Sequence, residues 1–151
     1  MVRKKKRKIS FIWLLPLLLV AADQIMKCVA RQYFAVSVPV IKNIFYLTFV
    51  RNFGIAFGFF QGVNDTILWF YVIVLALLVY FYDRFPKDKF SQVMFFFLIA
   101  GIVGNFIDRI ALGYVTDFID FRVWPVFNFA DIYLNIGIIG LIAKEIFFKK
   151  S

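Results

Sequence analysis

At 151 residues, 63% hydrophobic and 21% aromatic, with a mean hydropathy of +0.84, the chain is far more apolar than a soluble domain, which runs about half apolar. Its 22 phenylalanines exceed what a soluble fold of this size can hide, so the composition implies one integral membrane domain over residues 1–151. The single cysteine, Cys28, excludes an internal disulfide, the absence of histidine argues against a metal site, and no cofactor is expected.

The net charge of +9 does not point to nucleic acid, because the basic residues flank apolar runs. They cluster at Arg3, Lys4, Lys5, Lys6, Arg7 and Lys8, at Arg84, Lys87 and Lys89, and at Lys144, Lys149 and Lys150. Cytoplasmic segments of membrane proteins carry this bias.

Four helical spans are expected, at residues 9–28, 66–82, 90–107 and 131–148, each close to the roughly 20 residues that cross a bilayer. The fold class is therefore an all-α membrane protein of four transmembrane helices, with a small β-structured segment at the outer face. Trp13, Tyr80 and Tyr82 fit an inner aromatic belt, and Trp69 and Tyr133 an outer one, which puts both termini in the cytoplasm. The first span also fits a secretory signal peptide, but its cleavage would leave three spans with their basic loops reversed. Lys27 occupies the position where an acylated lipoprotein cysteine needs a small predecessor, so Cys28 reads as apolar filler.

Asp23 and Lys27 stand four apart in the first span and can pair, with tying helices together as the default role. Between the first two spans, Ile44–Val50 has strand composition, and Pro39, Gly54, Gly58 and Gly62 mark bends. At the end of the third span, Gly101 and Gly104 permit close helix packing, and Asp108, one turn from Asn105, reads as structural.

Val115–Phe121 is the second strand candidate. Its alternation places Asp117 with Val115, Ile119 and Phe121, and Asp120 with Thr116, Phe118 and Arg122. Asp117 is then the carboxylate among apolar neighbours, and burial favours its protonated form. An irregular loop with solvated charges is the alternative. At the fourth span, Asn128 reads as an N-cap with Asp131 at the third helical position, and Asn128, Asp131 and Asn135 share a face expected to point inward. Taken alone, that pattern fits a capping role for Asp131 as well as a chemical one.

Five segments in this order resemble lipoprotein signal peptidase, or signal peptidase II: Asp23–Lys27, Asn52–Phe57, Gly104–Arg109, Val115–Phe118 and Phe127–Asp131. The resemblance covers nearly the whole chain. It implies a membrane aspartyl endopeptidase of the bacterial cytoplasmic membrane that removes signal peptides from diacylglyceryl-modified prolipoproteins, cutting before the lipidated cysteine. It further implies that Asp117 and Asp131 are the catalytic pair and that Asn52, Gly54, Asn105, Arg109 and Asn128 shape the site or hold substrate. Two departures stand out. Ala100–Gly101 replaces a common pair of glycines, and Ile132–Tyr133 follows the second aspartate where the family has small residues.

Expected partners are such prolipoproteins and membrane lipids, with the site at the outer face. The chemistry implied is attack by water on the scissile carbonyl, with Asp131 as base, Asp117 as acid, and Lys27, Arg109 or a backbone N–H available to the oxyanion. A small proton-coupled transporter is the alternative, but its carboxylates belong near mid-span. A scaffold would not need both aspartates. A serine–lysine peptidase would have to rely on Ser37 and Lys42.

Overall fold

The structure, a computed structural model, describes residues 11–54 and 64–147. The basic N-terminal run, the terminal lysines Lys149 and Lys150, the expected bends at Gly58 and Gly62, the Ile55–Phe57 segment, and the span ends at Ile9 and Phe148 lie outside these residues.

A 3-10 turn at Phe11–Leu14 leads into α1, Leu15–Tyr33, with Pro16 in the first turn, where its missing N–H costs no helical bond. The helix runs past the expected end at Cys28 because no breaker follows, and Asp23, Lys27 and Arg31 form a polar stripe at helical spacing. Asp23 and Lys27 are wholly buried. Cys28 is exposed on this helix, so it fills no interior space.

Helix α2 spans Asn64–Tyr80, α3 Lys89–Leu112 and α4 Phe129–Phe147. Asp88 caps α3 by accepting from Ser91 N at 3.1 Å, and the left-handed Gly113 (φ 78°) ends it by donating to Arg109 O. Asp108 and Arg109 therefore lie inside α3, beyond its expected end at Ile107. The segments Phe11–Tyr33 and Lys89–Leu112 are long and apolar enough to cross a membrane. Helix α2 is apolar but shorter, and α4 carries Asp131, Lys144 and Glu145 at its ends.

Three antiparallel strands lie in the order β1 (Val38–Ile41), β2 (Phe45–Asn52), β3 (Val115–Asp120). The last two match the expected strands; β1 was not foreseen. Pro39 sits within β1 rather than at a bend, which an edge strand tolerates because one side of its backbone needs no ladder partner. On the other side, Val50 faces Asp117 and Asn52 faces Val115.

Ala30, Phe118 and Ile119 form the core between α1 and the sheet, with Met26, Phe34, Phe127, Phe129 and Ile132 around them. Helices α3 and α4 touch backbone to backbone. A Cβ on Gly101 would sit 2.5 Å from Ala130 O, and one on Gly137 2.6 Å from Leu98 N. The bulkier residues at the two departures are absorbed: Ala100 is fully buried, Ile132 packs on the core, and Tyr133 meets Phe97 edge-on. At the far end from the sheet, Trp13 packs on Tyr82 and Phe96.

Candidate active site

The route of the chain from β3 to α4 brings the two key aspartates together. After Asp120 the backbone turns at Arg122 (φ 65°), whose N–H donates to Asp120 Oδ1, and it returns alongside β3. Phe127 O then accepts from Phe118 N and Ile119 N, and Phe127 N donates to Ile119 O. This return delivers Asn128, fully buried, against Asp117 and starts α4 one residue later.

Asn128 connects the two carboxyl groups. Its Nδ2 donates to Asp117 Oδ1 at 2.6 Å, while its Oδ1 accepts from Asp131 N at 3.0 Å. Asp131 Oδ2 in turn accepts from Asn128 N at 3.1 Å, so cap and third helical residue satisfy each other as the sequence suggested. Asn52 Nδ2 donates to Asp117 Oδ2 at 2.9 Å, and Asn52 Oδ1 accepts from Gly54 N at 3.0 Å. Because a backbone N–H fixes the oxygen of each of these amides, each must present its NH2 to Asp117.

Asp117 is 2% exposed, and burial, followed by the nearby Asp131 charge, raises its pKa to about 7. Amide donors from Asn52 and Asn128 oppose that rise without cancelling it.

The second carboxylate is tied to the interior of the helices. Asp131 Oδ1 accepts from Asn105 Nδ2 at 2.8 Å, and Asn105 Oδ1 accepts from Lys27 Nζ at 2.9 Å. Lys27 Nζ also meets Asp23 Oδ2 at 2.9 Å and Gly104 O at 3.2 Å, so its three N–H groups are matched and none remains for an oxyanion. Asp23 Oδ1 accepts from Ala130 N at 2.9 Å, satisfying a free donor of the first turn of α4. Asp108 ties α3 to β3. Its Oδ2 accepts from Thr116 N at 2.8 Å, with Lys27 at 3.6 Å and Arg31 at 4.0 Å.

Arg109 is 3% exposed and donates through Nη2 to Gly54 O, holding the end of β2 against α3. Its guanidinium lies 5.8 Å from the Tyr71 ring centre, and Nε and Nη1 have no hydrogen-bond partner among the described residues.

Two expectations need correction. Strand alternation does not separate Asp117 from Asp120 by burial, because every residue of β3 is buried and Asp120 is only 6% exposed. β2 and the Phe127 bridge cover the edges of β3, and α1 and α3 pack against the strand. The two differ in partners instead, since Asp120 accepts from Thr48 Oγ1 and Arg122, away from Asn128. Asn135 is exposed rather than inward-facing, because its amide folds back onto Asp131 O one turn earlier.

The signal peptidase (SPase) II family profile matches residues 15–147. The chain belongs to the signal peptidase II family. It is thus an aspartic peptidase, and its two catalytic candidates are aspartates. The lipoprotein signal peptidase of Fusobacterium nucleatum subsp. nucleatum is 40% identical over 141 residues, covering 89% of this chain and 86% of that protein. The lipoprotein signal peptidase of Clostridioides difficile is 36% identical over 146 residues, 91% of this chain and 96% of that protein. A bacterial membrane enzyme solved by the in meso method at 2.3 Å superposes with a TM-score of 0.82 at 35% identity, covering 97% of this chain and 96% of the other.

Three contributors to the candidate site of this signal peptidase II family member were not foreseen. Arg31 donates to Thr116 Oγ1 at 3.1 Å, Thr116 is fully buried beside Asp108, and Tyr71 lies against Arg109. Arg31 was readable as the next member of the Asp23, Lys27 stripe; Tyr71 carried no signal in a uniformly apolar helix.

Proposed function

We propose that Asp117 and Asp131 are the proton-exchanging pair of a lipoprotein signal peptidase that cuts diacylglyceryl-modified prolipoproteins just before the lipidated cysteine. The observation that carries this reading is the Asn128 bridge, which brings two carboxyl groups of unlike environment to one place. Asp117 keeps its proton to about pH 7, and Asp131 accepts N–H groups on both oxygens.

A water attacking the scissile carbonyl carbon gives its proton to Asp131 while Asp117 donates to the carbonyl oxygen, forming a neutral tetrahedral diol. Collapse returns one hydroxyl proton to Asp117, breaks the C–N bond, and passes the proton on Asp131 to the leaving amine. Both carboxyl groups end as they began. The pair titrates as a unit, since two adjacent carboxylates rarely ionise together. Among the described residues Nε and Nη1 of Arg109 have no hydrogen-bond partner, which suits them to hold a substrate carbonyl, a task for which Lys27 has no free donor.

The site belongs to the outer face of the bacterial cytoplasmic membrane, with both termini inside. Supporting this, Arg84, Lys87 and Lys89 lie at the α2–α3 turn and Lys144 pairs with Asp88, at the end of the bundle away from the sheet. Exposed Leu17, Leu18, Trp69, Phe70, Ile139 and Ile142 offer the helices to membrane lipids. The substrate's acyl chains can stay in lipid while its peptide reaches the sheet end.

The deciding experiment is cleavage of a diacylglyceryl-modified prolipoprotein by purified protein in lipid. Asp117→Asn and Asp131→Asn should each insert normally and lose cleavage; substantial turnover by either variant overturns the assignment. Proton-coupled transport is disfavoured because Asp117 lies on the sheet and Asp131 in the first turn of α4, not at mid-span.

A further inference from the structure

Proton exchange at Asp131 leaves idle the fully buried lysine behind it, Lys27. Lys27 is separated from Asp131 by one side chain, Asn105, which accepts from the ammonium at 2.9 Å and donates to the carboxylate at 2.8 Å. A carboxamide has one donating and one accepting end, so the two contacts fix its orientation jointly. Turned over, Asn105 would set its NH2 against an ammonium and its oxygen against a carboxylate.

Asp131 cannot hold that orientation by itself. Under the catalytic reading it takes up a proton in every turnover, and a protonated carboxyl can donate to an amide oxygen as readily as it accepts from an amide NH2. Lys27 takes no part in that proton exchange. It is surrounded by Asp23 on α1 at 2.9 Å and Asp108 on α3 at 3.6 Å, with Gly104 O at 3.2 Å. Arg31 on α1 shares Asp108, and Asp117 on β3 stands on the far side of Asn128 from Asp131.

We propose that Lys27 is a positioning residue for the reaction: it locks the Asn105 amide so that Nδ2 faces Asp131 in both protonation states, restoring the base after each cut. Lys27 has no exposed surface, so it acts without touching substrate. The proposal rests on Asp131 being the base. It predicts an effect on kcat that leaves KM unmoved and is carried mainly through Asn105, on top of the direct pull of the Lys27 charge on the two carboxyl groups.

A double-mutant cycle in an Asp23→Asn background tests it, because that background keeps the acceptor for Ala130 N while removing the carboxylate that Lys27→Met would strand. Lys27→Met should lower kcat roughly tenfold or more with Asn105 present, the scale of losing a hydrogen bond to a charged group. In an Asn105→Ala background the same change should lower kcat at least about threefold less than it does with Asn105 present. Equal losses in both backgrounds, or a change confined to KM, would overturn the proposal.

Asn105→Asp, with Lys27 intact, is the second variant and decides the matter if the cycle members do not fold. It imitates the turned-over amide at almost constant shape, so kcat should fall and the acid limb of the pH–rate profile should move to higher pH. Wild-type kcat and pH profile in folded Asn105→Asp would overturn the lock. Asp117→Asn and Asp131→Asn are measured on the same substrate. If both are inert while Asn105→Asp is normal, the lock fails and the catalytic pair stands; turnover by Asp131→Asn defeats the pair itself.

Discussion

Asn128 and Asp131 cap each other across the start of α4, through Asp131 N to Asn128 Oδ1 at 3.0 Å and Asn128 N to Asp131 Oδ2 at 3.1 Å. Asn128 spends its remaining NH2 on Asp117, so one residue serves helix stability and site geometry through different atoms. Asn128→Ser retains a capping oxygen but loses the donor to Asp117; it should fold and lose roughly ten- to hundredfold in kcat. Asn128→Ala loses the cap as well and should be about 1 kcal/mol less stable than the serine variant. Thermal unfolding in detergent, paired with cleavage assays, separates the two roles.

The pKa of Asp117 gives a signed pH dependence. Raised from 3.8 to about 7, the folded carboxyl binds a proton that the unfolded one releases between those values. Stability from this group is therefore present at low pH and lost as pH rises from about 4 to about 7, by about 1.4 kcal/mol per unit. Asp117→Asn removes that slope. Melting curves from pH 4 to 8 should show the wild type declining relative to Asp117→Asn with rising pH, and cleavage by the wild type should fall above pH ~7 as the acid is lost.

Gly101 sets how near α4 comes to α3, and hence where Asp131 stands. A methyl group there would meet Ala130 O at 2.5 Å and Leu134 N at 2.7 Å, both backbone atoms that move only with the helix. Gly101→Ala should cost about 1–3 kcal/mol and displace Asp131 from Asn105, lowering kcat more than KM rises. Unfolding and steady-state cleavage measured together check both effects. Equal stability would mean that α4 shifts without strain.

The helices were legible because their apolar runs are long, but their ends were not: α1 continues past Cys28 to Tyr33 and α3 past Ile107 to its stop at Gly113. Asp131 was legible through its capping position. What alternation could not reveal was the return of the chain at Phe127, which bridges the free edge of β3, together with the packing of α1 and α3 against the strand, which helps to bury it. Pro39 misled because proline punctuates bends more often than it joins strands; only the position of β1 at the sheet edge makes it admissible. Lys27 was visible as a partner for Asp23, but its link to Asp131 through Asn105 joins three helices and cannot be read from spacing within any one of them.

Asp120 provides the contrast that the catalytic assignment needs. It lies three residues from Asp117, in the same strand and nearly as buried, so any general effect of removing a β3 carboxylate should appear at both. Yet its oxygens serve Thr48 and Arg122, and its contact with Arg122 N stabilises the turn that starts the return strand. An asparagine preserves the oxygen for that turn and gives up the ion pair with Arg122, whose side chain is half exposed, while the Thr48 hydroxyl can donate to Ser37 and accept from the new NH2. Asp120→Asn should therefore keep kcat within about twofold and lose less than about 1 kcal/mol of stability, whereas Asp117→Asn loses cleavage while folding normally. Both are measured on one lipidated substrate. A collapse of activity in Asp120→Asn would mean that the acid is not confined to Asp117 and that β3 acts through both of its carboxylates.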